Sequence, residues 1–308
     1  MKHKLKSLLS LAVIIILSIG MTLPIQADDS GDDSDVIDEK FGMPVVVYGE
    51  QLTEQQKDAV RDALNISDPD MVNEFTVTGQ DAAKYIDGDP HSNMYSSAKI
   101  TREEDGEGLT INIVTPDNIT EVTNEMYANA LLTAGVENAT VDVASPVKVT
   151  GHSALTGIYK AYDVEGEALD KERMELANEE LDVATDLADE DGISQEEVSE
   201  LLAEIKKAIS EQNPASKEDV ERIITEKLDK LDISLSEEDR QMLIDLFEKM
   251  RDLDIDFDQV KHQLEDIAAT VKEKMDELGL DEGFWKKVSN FLGDLFRALG
   301  DFFASLFE

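Results

Sequence analysis

The stretch Val45-Val46-Val47-Tyr48-Gly49-Glu50-Gln51-Leu52-Thr53-Glu54-Gln55-Gln56 decides how the first half of the chain folds. Three valines and a tyrosine, β-branched and aromatic, suit a strand. Thr53 with Gln56 three residues on is a capping-box pair, so a helix opens there and runs to about Asn65, with Val60 and Leu64 on one face. Working outward, residues 72–78 read as a second strand and 80–86 as a short helix. Residues 97–101 and 109–114 flank Glu104-Asp105-Gly106-Glu107-Gly108, which predicts a hairpin. A helix then starts at Thr120 and passes Met126, Ala130, Leu131 and Ala134 to its C-cap at Gly135. Residues 139–143 and 147–150 return to strand. This order predicts an α+β arrangement, a mixed sheet covered on one face by helices.

After Gly151 the strand signals stop. Residues 153–164, 170–189, 194–211, 216–231, 236–251, 258–278 and 282–307 carry helical periodicity. Ser194 with Glu197, Ser216 with Asp219 and Ser236 with Asp239 are N-cap signatures. Gly192, Asn213-Pro214 and Gly279 mark stops. Val220, Ile223, Ile224, Leu228 and Leu231 keep three- and four-residue spacing, as do Val260, Leu264, Ile267, Val271, Met275 and Leu278. These are core stripes of a helical bundle. The expected organisation is an α+β domain over 41–150, an all-helical domain over 151–280, and a C-terminal amphipathic helix over 281–308.

The first 27 residues follow the grammar of a secretory signal peptide. Lys2, His3, Lys4 and Lys6 form a basic start, residues 8–19 an apolar stretch, and Ala27 a small residue at the cut. The competing reading is an uncleaved N-terminal anchor. Residues 28–40, opened by Asp28-Asp29-Ser30-Gly31-Asp32-Asp33, are too polar and like-charged to pack and read as a linker. The chain carries 28 Lys and Arg against 69 Asp and Glu. Loss of Lys2, Lys4 and Lys6 takes the formal charge from −41 to −44. Such a surface repels phosphates, which argues against a nucleic-acid binder, and attracts divalent cations and basic polymers. Without cysteine there is no disulfide, no thiol nucleophile and no thiolate metal site. The expected location is secreted, extracellular or associated with the cell envelope.

Catalytic motifs are missing. No G-x-S-x-G occurs, and His91, His152 and His262, the histidines beyond residue 27, form no H-E-x-x-H. His152-Ser153 sets an imidazole beside a hydroxyl, but the simpler reading makes Ser153 a helix N-cap with Gly151 at the turn. Calcium is the one cofactor the residues could take, and none is required. Asp254, Asp256 and Asp258 alternate, with Glu265 at the twelfth place, as in a calcium loop. Gln259, however, stands where such a loop needs glycine, and Lys261 where an apolar residue belongs. Asp186, Asp189 and Asp191 with Gly192 are out of register, and Asp87-Gly88-Asp89-Pro90-His91 is an acidic turn.

The C-terminal helix has a wide aromatic-rich face that includes Trp285, Phe291, Leu295, Phe296, Phe302 and Phe303. Burying about ten such side chains is worth on the order of 15–30 kcal/mol before entropy, so the face needs a partner. It can pack on the bundle, pair with another copy, or lie peripherally on a membrane. Gly293, Asp294, Arg297, Gly300 and Asp301 interrupt it too often for a bilayer span.

One resemblance adds to this. The stretch Val149-Thr150-Gly151-His152-Ser153-Ala154-Leu155-Thr156-Gly157-Ile158-Tyr159-Lys160-Ala161 resembles a hallmark of a secreted family of Gram-positive bacteria, domain of unknown function 1002, the YpuA-like proteins. Ile205-Lys206-Lys207 to Asn213-Pro214, and Leu253-Asp254-Ile255-Asp256-Phe257 to Gln263-Leu264, look like its C-terminal half. The resemblance implies an exported protein and carries over no catalytic residues. The expected function is therefore a non-catalytic binding or structural module of the envelope. The alternative is a calcium-supported enzyme acting on a wall polymer, with a carboxylate pair such as Asp87 and Asp89.

Overall fold

Strand β1, Val45–Gly49, is buried along its whole length, because both of its faces are covered. Val45 and Val47 enter the main core, while Val46 and Tyr48 join a smaller cluster with Leu52, Val60, Leu64 and Ala144. A strand buried on both sides has no reason to alternate, which explains the unbroken valines. The computed structural model describes residues 42–277, Ala168, Asp191, Gly192 and Asp254 excepted.

Helix α1, Glu54–Ala63, starts at Thr53 with both arms of the capping box in place. It leads into β2, Asn73–Val77, which pairs parallel with β1. Helix α2, Gly79–Ile86, follows with a second box, Thr78 and Asp81. Strands β3, Ser97–Arg102, and β4, Leu109–Ile113, precede helix α3, Asn124–Ala134, and strand β5, Ala139–Ala144. Sheet order is β2-β1-β3-β5-β4.

That order corrects the expected hairpin. β3 and β4 do not pair; β5 lies between them, antiparallel to β3 and parallel to β4. Residues 103–108, with Gly106 and Gly108 at positive φ, bridge two strand spacings, about 10 Å, rather than making a tight turn. The physical reason is burial: Val141 and Val143 of β5 are wholly inside, and only the slot between two partners buries them that way. α1 covers the face opposite the other helices, so the sheet is not left open on one side as expected. Residues 147–150 are not a strand: they hold one bridge, Val149 to Ile119. α3 begins at Asn124 rather than Thr120, since Thr123 is the residue that caps it.

Beyond the sheet come α4, Ser153–Val164, α5, Lys171–Glu190, α6, Gln195–Gln212, α7, Lys217–Leu231, α8, Glu237–Asp252, and α9, Lys261–Glu277. Ser194, Ser216 and Ser236 cap α6, α7 and α8 as their spacing implied. α4 packs on β1, β2 and β3; α3 packs on β4, α5 and α6; α9 lies along α6. One apolar core therefore runs from the sheet into the helices. The fold is α+β, a five-stranded mixed sheet followed by a helical region.

Candidate functional site

Helices α5 and α8 pack side by side and leave a groove of about 510 Å³ between them. Helical spacing builds its walls. Glu179, Asp182 and Asp186 project from α5 at i, i+3 and i+7, and Asp245, Glu248 and Asp252 project from α8 at the same intervals. Val183 and Met242 add apolar surface. Six carboxylates thus line the groove with a single ammonium, Lys249, which pairs with Glu179 at 2.6 Å. Lys217 reaches Asp245 at 3.1 Å and Glu248 at 3.0 Å, and Arg251 meets Asp252 at 2.6 Å. Among the described residues no cation pairs with Asp186.

Asp182 ties the groove to the start of α4. Burial pushes its carboxyl above the usual carboxylate range; His152 opposes the shift, and Asp186 and Glu179 reinforce it. Asp182 Oδ2 accepts from Asn178 Nδ2 at 3.1 Å, and Oδ1 lies 3.4 Å from His152 Nε2. The imidazole also has Thr185 Oγ1 3.2 Å from Nε2 and Thr150 Oγ1 3.2 Å from Nδ1. Thr185 Oγ1 directs its own proton to the Leu181 and Asp182 carbonyls, at 3.1 and 2.9 Å. It is then an acceptor for the ring, which places the neutral imidazole's proton on Nε2.

The turn before α4 aims that ring. Gly151 has φ +116°, and a Cβ there would stand 2.8 Å from Tyr127 Oη and 2.9 Å from Ile119 Cγ2. Tyr127 Oη donates to Gly151 O at 2.6 Å. Gly151 makes the turn as expected, but Ser153 is not the cap. His152 holds that place with helical φ and ψ, and no side chain caps the first N–H groups. The imidazole is turned to α5 instead.

A second polar cluster is wholly internal. Lys206 Nζ donates to Asn129 O at 2.7 Å and pairs with Glu180 Oε1 at 2.5 Å; Thr133 Oγ1 donates to Glu180 Oε2 at 2.6 Å. Burial lowers the Lys206 pKa against the pull of Glu180. Asn129 Nδ2 donates to Ser199 O at 3.1 Å, and Arg173 caps the end of α3 through the Thr133 and Leu132 carbonyls, at 2.7 and 3.2 Å. This cluster clamps α3, α5 and α6 together, with the Lys206 and Glu180 side chains closed off from solvent.

The residues singled out from sequence lie elsewhere. Asp256 Oδ1 accepts from Asp258 N at 2.9 Å, Asp258 bonds Ser210 Oγ, and Glu265 pairs with Lys207 at 2.9 Å and faces His262 at 3.5 Å. Asp254 lies outside the described residues. Among those described, no three His, Asp or Glu side chains converge as a metal ion requires. Asp89 bonds His91 within one solvated turn, and Asp87 is the left-handed C-cap of α2. Asp186 alone of the second acidic cluster enters the groove; Asp191 and Gly192 lie outside the described residues, as do the signal-like segment and Trp285, Phe291, Leu295, Phe296, Phe302 and Phe303. Among the described residues no helix is long and apolar enough to cross a membrane.

Sequence reading missed the groove, since its walls are about sixty residues apart, although each wall shows an i, i+3, i+7 run of acids. It also missed Lys206 and Glu180. Their signal was a charge set within an apolar stripe: Lys206 four residues after Leu202, and Glu180 four after Leu176 and four before Ala184.

A five-stranded mixed sheet followed by a helical region, with an acidic groove between α5 and α8, defines an α+β protein. The profile of the family described as protein of unknown function (DUF1002) matches residues 48–267, and the chain belongs to that family. It is 34% identical over 275 residues to the uncharacterized protein YpuA of Bacillus subtilis (strain 168), across 86% of this chain and 91% of that protein. No solved structure matches it.

Proposed function

We propose that this chain is an exported, non-catalytic binding module of the cell envelope, and that its α5–α8 groove takes a basic polypeptide segment of a partner. The groove carries the reading: six carboxylates in two matched rows, with Asp186 unpaired by any cation among the described residues. Lys or Arg side chains spaced one or two helical turns apart would meet those rows, and the formal charge of −41 steers a cationic partner toward them. The carboxylates keep partial solvent contact, so long side chains can reach them without burying a charge alone. The Asp89–His91 turn is solvated, so the Asp87 and Asp89 pair lacks the buried acid of raised pKa that the enzyme alternative asks of it.

The test is titration of an oligolysine peptide into the full mature protein by calorimetry, with a Asp182→Asn, Asp186→Asn, Asp245→Asn variant as control. The expected result is salt-sensitive binding that weakens at least about tenfold in the triple variant, about 0.5 kcal/mol for each carboxylate lost. Equal affinity for both proteins would remove the groove as the site.

A further inference from the structure

We propose that His152 is a proton-operated regulator of the groove: protonated, it ties up Asp182 and weakens cation binding there. This rests on the groove reading above and adds its control. The geometry is specific. Asp182 belongs to the groove lining and is also the carboxylate within ion-pair distance of the ring, 3.4 Å from Nε2. Both ring nitrogens already have partners able to accept, Thr185 Oγ1 and Thr150 Oγ1 at 3.2 Å each. Adding a proton to Nδ1 therefore needs no rearrangement beyond rotation of the Thr150 hydroxyl from donor to acceptor.

The charged groups around the ring are few. α5 contributes Asp182 directly, with Glu179 and Asp186 acting on Asp182. Lys148 stands on the segment leading into Gly151, and Glu121 on the loop whose N–H bonds Thr150 O at 3.2 Å. Helix α4 has no acidic residue in its first turn. Protonation thus places a positive charge whose nearest counter-ion is a groove residue. The groove loses one unit of negative charge to an internal partner, and a cationic ligand loses one contact. Because the pKa of the Asp182 carboxyl is itself raised, the His152→Gln variant is what separates protonation of the ring from protonation of Asp182.

The experiment measures oligolysine affinity by calorimetry at about pH 8 and about pH 6 and constant ionic strength, for the wild-type protein, His152→Gln and Asp182→Asn. The wild type should bind about threefold more weakly at the lower pH, the loss of one half-exposed pair. His152→Gln should match the wild type at the higher pH and hold that affinity at the lower. Asp182→Asn should bind more weakly throughout, with no step between the two. An acid loss of the same size in His152→Gln overturns the role of His152 while leaving the groove intact. Failure of the wild type to bind at the higher pH removes the groove reading and this control with it.

Discussion

Lys206 Nζ and Glu180 Oε1 stand 2.5 Å apart, and neither side chain reaches solvent. Such a pair forfeits the hydration of two ions, and its attraction repays this only with extra hydrogen bonds. Here Asn129 O and Thr133 Oγ1 supply them, one to each partner. Because Asn129 and Thr133 belong to α3, the pair draws its extra hydrogen bonds from a third helix. Its expected effect is on register more than on net stability.

Removing one partner should therefore cost far more than removing both. Lys206→Met leaves a buried carboxylate, and Glu180→Gln leaves a buried ammonium; each should lose about 3–5 kcal/mol in urea unfolding. The double variant Lys206→Met, Glu180→Leu should lie within about 2 kcal/mol of wild type. Additive losses in the double variant would mean that the two residues stabilise the fold through separate packing.

Glu74 links three elements of the β1-α1-β2 unit. Arg61 of α1 grips both carboxylate oxygens at 2.9 and 3.0 Å, and Tyr48 of β1 donates at 2.7 Å. The Arg61 bond holds the Glu74 carboxyl below its ordinary value, with burial working against it and Tyr48 adding to the effect. A depressed folded pKa gives stability that is present above about pH 4.3, the unfolded value, and is lost as pH falls through the folded one. Glu74→Gln should unfold about 1 kcal/mol more easily at neutral pH, and the gap should close on acidification below about pH 4. Paired urea curves at the two pH values measure it; a gap that stays constant would assign the cost to packing.

Local chemistry made much of this fold legible. Thr53, Ser194, Ser216 and Ser236 cap where their spacing says, because a cap is decided within four residues. The apolar stripes of α7 and α9 are readable for the same reason. The placement of β5 between β3 and β4 was not, since residues 97–113 look like any hairpin until a distant strand competes for the pairing. Ser153 failed as a cap because Gly151 and the Tyr127 hydroxyl set the turn one residue earlier in the chain's path. The groove stayed hidden because acids on a solvated helix face look alike until another helix stands opposite.

The Gly151 turn gives a sharper local test. Its φ of +116° and the two contacts under 3.0 Å exclude a side chain on both conformational and steric grounds. Gly151→Ala should lower stability by about 2–4 kcal/mol by thermal or urea unfolding. It should also disturb His152, whose ring resonances in NMR report its contact with Thr185. A variant of unchanged stability would show that residues 149–152 relax freely.

We propose that retention at the envelope rests on the aromatic-rich residues of 282–307. A chain ending at Gly279 should appear in the medium while the full chain stays with wall or membrane fractions. Equal release of both would make that segment part of the fold rather than an anchor.

Asp182 offers a test in which stability and binding move in opposite directions. A carboxyl whose folded pKa is raised favours the folded state below the unfolded value, about pH 3.9, and loses that contribution as pH climbs through the folded one. At neutral pH the ionised Asp182 is thus a small burden on the fold, screened because the side chain is half exposed; partial burial contributes first, then Asp186 and Glu179, with His152 relieving part of it. Asn178 and Thr185 can each keep a partner without the charge, so Asp182→Asn orphans neither. The variant should melt at or above the wild-type temperature at neutral pH by differential scanning calorimetry, while oligolysine binding weakens. Under the proposed binding role, stability and ligand affinity would then pull on Asp182 in opposite directions. If Asp182→Asn melts lower, the His152 pair outweighs the burial of the carboxylate, and Asp182 is a structural residue whose presence in the groove needs no ligand to explain it.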